Sequence, residues 1–207
     1  MKYFFLDTSN SHLTVAIYKN KTLLAGYNKP CDNKLSADIM PIIDEVFKKA
    51  GTSLWDIDKI FVVIGPGSFT GIRIGVTIAK TLAWASNTEI VPISSLEFMA
   101  TTKVRTSYTV PIIDARRGYV YAGLYDKKLN KIREDQYISL EDLKKQLGNT
   151  KYTIVSYDEI NEKKLYPNIN INMILKKHLN DKAVNPHLIN PSYLKLTEAE
   201  EKLKHAS

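Results

Sequence analysis

The chain has one cysteine, Cys31, in 207 residues. That excludes an internal disulfide and any zinc cluster built on cysteine pairs. Its four histidines, His12, His178, His187 and His205, are scattered. No two stand at the H-x-x-x-H spacing that puts two imidazoles on one helix face, so no metal site is expected. Long apolar runs are missing too. "MKYFFLDTSN" offers four apolar residues between Lys2 and Asp7, too few for a signal-peptide core or a membrane span. A cytoplasmic protein with no membrane partner is expected.

Concentrated charge is also lacking. Residues 1–92 carry 10 basic and 8 acidic side chains and residues 93–207 carry 19 and 14, so the formal charge of +7 is spread thinly. With no block of like charges, this reads as a lysine-rich solvated surface and gives no concentrated basic-aromatic signal for an RNA-binding module. What is present is an ordinary globular composition, 44% apolar and 25% charged. The length suffices for one domain or two small lobes around a core.

Along the chain, "YFFLDTS", "HLTVAIYKN" and "TLLAGY" read as three strands, the second by its period-two alternation. "LSADIMPIIDEVFKKAG" follows as a helix. On a wheel, Leu35, Ile39, Met40, Ile42, Ile43, Val46, Phe47 and Ala50 share one arc and Asp44, Glu45, Lys48 and Lys49 fall outside it. Gly51 is placed to cap it, and Pro41 predicts a kink or restart. "KIFVVIG" is a continuous apolar run, the mark of a strand buried on both faces. A glycine loop, a helix from about Thr70 to Ser86 and a strand "IVPI" complete a β-β-β-α-β-α-β order, that of a ribonuclease H-like or actin-like half. Beyond Ser94 come a short capped helix "SSLEFMATT", strands "TVPIID" and "YVYAGLY" joined by "ARRG", and a further strand "KIREDQYI". A capped helix "SLEDLKKQLG" and a strand "YTIVSY" follow. Residues 158–190 show little periodicity, and Asp7-Thr8-Ser9 has no evident echo in the second half.

The loop Gly65-Pro66-Gly67-Ser68-Phe69-Thr70-Gly71 leaves a buried strand and enters a helix. That placement aims backbone N–H groups and the positive end of the helix at one spot, as an anion site does. It matches neither the P-loop nor the dinucleotide fingerprint, so anion binding and a structural turn both stay open. In the helix after it, Gly75, Ala79 and Ala83 recur every four residues as a small-residue ridge. The apolar arc from Ile74 through Ile78 and Leu82 to Val76 is wider than one core contact requires, and predicts one side on the sheet and the other on a partner. Catalytic signals are thin. Asp7 ends the first strand without companion carboxylates for a metal pair, and Ser68 is in no nucleophile elbow.

Six segments, "LDTSNSHLTVAIY", "IMPIIDEVF", "IGPGSFTGIRIGVTIAKTLAWA", "VPISSLEFMA", "IDARRGYVYAGLY" and "INPSYLKLTEAE", run in order over nearly the whole chain. On them the chain resembles the bacterial tRNA threonylcarbamoyladenosine biosynthesis family TsaB, also called YeaZ. The resemblance implies an α/β actin-like ATPase (ASKHA, ribonuclease H-like) fold with two lobes, the second reduced. We expect residues 1–95 in the first lobe and 96–207 in the second, with the C-terminal segment returning to the first. It implies a non-catalytic role, binding and organising the catalytic subunit TsaD, with the ATPase TsaE reached through the complex. That assembly transfers threonylcarbamoyl from threonylcarbamoyl-AMP to the adenosine beside the anticodon. Contact with tRNA would be indirect, and the chain alone would form a homodimer. No cofactor and no catalytic residue are implied. The positions matching the metal-binding histidine pair of the catalytic relative are Ser95 and Met99. A residual nucleotide site would comprise Asp7, Thr8, Ser9, Gly65, Gly67, Ser68, Thr70 and Gly71. The partner interface would comprise Ile39, Ile43, Val46, Phe47, Gly75, Ile78, Ala79, Leu82 and Ala83. The competing expectation is an enzyme of the same fold, a weak nucleotide-binding ATPase or a peptidase-like protein.

Overall fold

The structure is a computed structural model that describes residues 1–31 and 34–195. His205 and the end of the "INPSYLKLTEAE" segment lie outside the described residues. Two five-stranded sheets carry the molecule. The first is built from β1 (Lys2–Asp7), β2 (His12–Lys19), β3 (Thr22–Pro30), β4 (Lys59–Gly65) and β5 (Glu89–Ser94), in the order β3-β2-β1-β4-β5. Its helices are α1 (Leu35–Ala50), α2 (Phe69–Ser86) and α3 (Ser95–Ala100). The second sheet contains β6 (Tyr108–Asp114), β7 (Tyr119–Asp126), β8 (Lys131–Ser139), β9 (Tyr152–Val155) and β10 (Lys164–Leu165), in the order β10-β9-β6-β7-β8. Helix α4 (Leu140–Leu147) precedes β9 and α5 (Ile171–His178) follows β10. Among the described residues no helix is long and apolar enough to cross a membrane.

The strands are apolar on both faces because both faces are covered. Phe4 and Leu6 of β1 and Ile60 and Val62 of β4 pack with Ile39, Ile43 and Val46 of α1 and Ile72, Val76 and Ala79 of α2. Tyr3, Phe5, Phe61 and Val63 point the other way, into a middle layer of α3 and α5 that also receives Ile113 and Tyr125 from the second sheet. The far face of the second sheet, with Val110 and Ile112, closes on Leu143 and Leu147 of α4. The layers therefore run helix, sheet, helix, sheet, helix.

The second lobe repeats the first. Each sheet is an antiparallel three-strand meander followed by two parallel strands. In this alignment β6 stands where β1 does, α4 where α1 does and α5 where α3 does. Between β9 and β10, where α2 would be, there is only the segment 156–163. The second lobe is the same half with its glycine-loop helix removed, the two-lobed actin-like ATPase arrangement with a reduced second half. No repeat is evident in the sequence and residues 158–190 show little periodicity, yet β10 and α5 lie there.

Two local expectations also change. Helix α1 runs unbroken through Pro41. Pro41 and Ala37, whose carbonyl loses its donor, are both exposed, so water can satisfy what the ring removes. Residues 184–193 lie against the first lobe beside α2. Val184 N–H donates to Ile90 O at 3.2 Å, Ser192 N–H to Ile64 O at 2.7 Å, and Lys80 Nζ to Ile189 O at 2.8 Å.

Candidate functional site: the inter-lobe cleft and the outer helical groove

A cleft of about 740 Å³ opens between the lobes, walled by the β1–β2 turn and the start of α2 on one side and by the β6–β7 turn on the other. The chain turns sharply after β1 because Asp7 caps its own turn. Ser9 N–H donates to Asp7 Oδ1 at 2.8 Å and Asn10 Nδ2 to Asp7 Oδ2 at 3.0 Å. Burial pushes the Asp7 carboxyl up to about 6, against the lowering effect of the nearby Ser9 hydroxyl and of those two donors. Across the cleft, Asp114 ends β6 at the corresponding place. Its Oδ1 accepts Arg116 N–H at 2.9 Å, and its own N–H donates to Asp158 Oδ2 at 2.7 Å. Burial raises the Asp158 carboxyl, opposed by that N–H. Among the described residues no group of three or more histidine, cysteine or acidic side chains is placed to hold a metal ion.

The glycine loop docks onto the β1–β2 turn. Ser68 N–H donates to Ser9 O at 2.7 Å, Thr8 Oγ1 to Gly71 O at 2.7 Å, and Gly71 N–H to Ser68 Oγ at 3.2 Å, the last being the N-cap of α2. A Cβ on Gly67 would sit 2.0 Å from Ser9 O, and one on Gly71 2.1 Å from Thr8 O. These glycines are thus required by backbone contact within the protein, and two N–H groups that could have met a phosphate are engaged there. One group is left over: Ser9 Oγ is buried close enough to Asp7 to favour its carboxylate but makes no hydrogen bond of good geometry among the described residues.

Of the eight residues expected in a nucleotide site, the fold brings Thr8, Ser9, Gly67, Ser68, Thr70 and Gly71 to the cleft wall. Asp7 is buried just behind it. Gly65 is elsewhere, under the returning segment, where a Cβ would lie 2.8 Å from Ser192 O. Asp114, Arg116, Tyr121 and Asp158, which are not among the residues expected from sequence, line the opposite wall. For Asp114 a signal existed, an aspartate closing an apolar strand before a tight turn, as in "FLDTS".

The expected partner face needs correction. Ile39, Ile43, Val46, Gly75, Ala79 and Ala83 are buried in the lobe's own core. The small residues of α2 let that helix lie close on its own sheet and turn: a Cβ on Gly75 would meet Thr8 Oγ1 at 2.2 Å. Phe47, Ile78 and Leu82 are half-buried instead. An outer groove of about 710 Å³ between α1 and α2 is lined by Phe47, Leu82 and the edge of Ile43 together with Met40, Leu54, Asp44 and Lys48. Met40 is 49% exposed there. Ser95 and Met99, on α3, are fully buried. Ser95 Oγ donates to Pro66 O and Met99 packs in the middle layer.

A family model described as TsaD, tRNA N6-adenosine threonylcarbamoyltransferase, matches residues 29–161. The tRNA threonylcarbamoyladenosine biosynthesis protein TsaB of Bacillus subtilis (strain 168) is 40% identical over 141 residues, 66% of this chain and 62% of the relative. That of Escherichia coli (strain K12) is 33% identical over 135 residues, 64% of this chain and 58% of the relative. The matched stretch thus spans less than two thirds of either relative. Among solved structures, YeaZ from Pseudomonas aeruginosa superposes with a TM-score of 0.79 at 20% identity, covering 93% of this chain and 99% of that one. It shares the fold.

Proposed function

The chain belongs to the TsaB (YeaZ) family, within the group described by the TsaD model, and we propose that it works in tRNA threonylcarbamoyladenosine biosynthesis as a non-catalytic subunit. In this reading it binds and organises the catalytic TsaD subunit, meets TsaE and tRNA through that complex, and pairs with a second copy when alone. The observation that carries the reading is the apolar groove between α1 and α2, where Met40 is exposed and Phe47 and Leu82 pack on the lobe's core with one edge left open. An exposed apolar strip with a charged rim of Asp44 and Lys48 is the surface an interface uses. Ser95 and Met99 support the non-catalytic part: a hydroxyl bound to a carbonyl and a core thioether do not replace two imidazoles as metal ligands.

The test is reconstitution of tRNA threonylcarbamoylation with TsaD and TsaE, with and without this chain. Modification is expected to require the chain and never to occur with the chain alone. The double variant Met40→Glu/Leu82→Glu should keep the fold, release TsaD in size-exclusion chromatography with light scattering, and abolish modification. Full modification without the chain would overturn the reading.

A second reading, weak nucleotide binding or hydrolysis in the cleft, is favoured by the unpartnered Ser9 hydroxyl beside the N-terminus of α2. Calorimetric titration with ATP tests it, and Ser9→Ala should weaken any binding seen. A peptidase-like activity finds no such support in the cleft.

A further inference from the structure

Away from the outer groove, the fold gathers rings and cations that are far apart in sequence. Phe69, on the cleft wall at the start of α2, is 56% exposed and stacks on Tyr193 with centroids 5.3 Å apart. The Arg73 guanidinium lies 3.8 Å from the Phe69 ring centre, and its Nε–H donates to Tyr193 Oη at 2.8 Å. Two residues beyond Tyr193, the Lys195 ammonium is 5.5 Å from the ring of Tyr137 on β8. Tyr137 in turn stacks on Tyr119 of β7 at 4.8 Å. Tyr119 directly follows Arg116-Arg117-Gly118, and Arg116 lines the cleft opposite Phe69. One continuous run thus crosses from the first lobe to the second beside the cleft mouth.

The turn at its end has an uncommon backbone. Arg116, Arg117 and Gly118 have φ of 68°, 55° and 79°. Two successive non-glycine residues in the left-handed region are costly, and such conformations persist where the surroundings enforce them. Here the Asp114 carboxylate and the Tyr119 N–H to Arg116 O bond, 3.0 Å, hold them. Neither arginine is buried, so core packing does not explain the turn. Its effect is to bring Arg116 to the cleft wall with Arg117 exposed next to it in the turn.

We propose that this run binds unpaired nucleotides of RNA directly, with bases stacking on the rings and phosphates meeting Arg73, Arg116, Arg117 and Lys195. Partly exposed flat rings alternating with cations, which outnumber the Asp114 carboxylate bound to the Arg116 backbone among the described residues of the run, match the two features of a flexible strand: open base faces and a repeating negative charge. A duplex offers only the second. A protein partner is the competing occupant, disfavoured because a chain of four cations spaced along stacked rings repeats the spacing of a nucleotide strand, whereas a protein would have to meet it with a matching row of acids. The choice of RNA rests on the tRNA-modification reading above, and adds a direct contact to the indirect one.

The test uses the full chain and fluorescence anisotropy with a labelled RNA hairpin bearing a large loop, against a blunt RNA duplex of the same length. The hairpin should bind about tenfold or more tightly than the duplex, and Tyr119→Ala and Tyr193→Ala should each weaken it about tenfold. Arg117→Ala and Lys195→Ala should each lower the salt slope by about 0.7. Tyr119 and Arg117 are exposed, so circular dichroism should find those variants folded. Equal binding of hairpin and duplex, or variants without effect, would overturn the proposal. So would variants that release TsaD while RNA never binds, which would make this a protein-docking face. Absence of RNA binding by the unaltered chain with TsaD still co-eluting sinks this inference alone; RNA binding by the unaltered chain without TsaD co-elution sinks the proposed function alone.

Discussion

The two faces of the first sheet are held by different physics. Toward α1 and α2 the contacts are apolar: Phe4, Leu6, Ile60 and Val62 meet Ile39, Val46, Ile72 and Ala79. Toward the middle layer, apolar packing shares the space with buried polar groups. Glu97 of α3 accepts from Lys177 Nζ at 2.5 Å and pairs with His178 Nε2 at 2.9 Å, while His178 Nδ1 meets Asp181 at 2.6 Å. Asp135 accepts from Tyr125 Oη at 2.5 Å and Ser94 Oγ at 2.6 Å. His12 stacks on Tyr157 at 4.3 Å and bonds Tyr166 Oη at 2.8 Å, tying the first lobe to the segment that replaces the missing helix and to the residue following β10. Apolar packing tolerates exchange among shapes, whereas a buried polar network demands particular partners. The outer face makes the lobe stable; the inner one fixes how the two lobes meet.

The strongest attempt to break this contrast is Ala79→Glu. Ala79 has no exposed surface, so the carboxylate would enter the apolar face unpaired, and we expect a loss of at least about 4 kcal/mol or no folded protein. A thermal melt indistinguishable from the parent would put Ala79 on an outer surface after all.

On the inner face, Glu97→Ala leaves His178 and Lys177 beside an empty site. A loss of about 2–3 kcal/mol in denaturant unfolding is expected, with Glu97→Gln losing less. This one carries a pH signature. Burial raises the Glu97 carboxyl, but its bonds to His178 and Lys177 outweigh that and hold it below its ordinary 4.5. Burial lowers His178, but Glu97 and Asp181 hold it above 6.5. A depressed carboxyl contributes above about pH 4.5 and loses its contribution as pH falls; a raised histidine contributes below about pH 6.5 and loses it as pH rises. The difference between parent and Glu97→Ala should therefore peak between about pH 4.5 and 6.5. A flat difference from pH 4 to 9 would contradict the pairing.

Asp7 sharpens the comparison from the other side, because its burial is unfavourable to the charged form. A carboxyl raised from 3.8 to about 6 destabilises the fold progressively as pH climbs through that interval. Asp7→Asn should gain about 1–2 kcal/mol at pH 7.5 and flatten stability between pH 4 and 6. A destabilised Asp7→Asn at neutral pH would mean that the ionised carboxylate is favoured in place. Smallest of all is Leu82→Glu at the outer groove, expected to shift stability by about 1 kcal/mol or less while removing the partner. Equal losses for Leu82→Glu and Ala79→Glu would erase the distinction between groove and core.

Much of the outer half was legible. The alternation of "HLTVAIYKN", the continuous run "KIFVVIG" and the helical arc from Leu35 to Ala50 are local patterns, and the elements stand where the periods place them. The wheel of α2 failed in a specific way. It showed that Gly75, Ala79 and Ala83 share a stripe, but a stripe of small residues fits close approach to a neighbouring helix and to the helix's own sheet equally well. Thr8, 67 positions before Gly75, decides between them, and no window of sequence contains both. The same limit hid Asp114 as the counterpart of Asp7, and hid α5, whose short polar-flanked pattern is stabilised by Glu97 some 80 positions away.

By itself, then, the sequence determined the strands and helices, the glycine loop's position at a helix start, and the family, because each is written in contiguous residues. The tertiary structure alone decided that the two halves repeat one another, that the loop's glycines serve contact with Thr8 and Ser9, and which apolar residues are left outside the core. It also decided that Phe69, Tyr193, Tyr137 and Tyr119 form one run with their cations. Burial and partnership are properties of surfaces brought together from distant segments, and a one-dimensional pattern records which residues could be buried without recording against what.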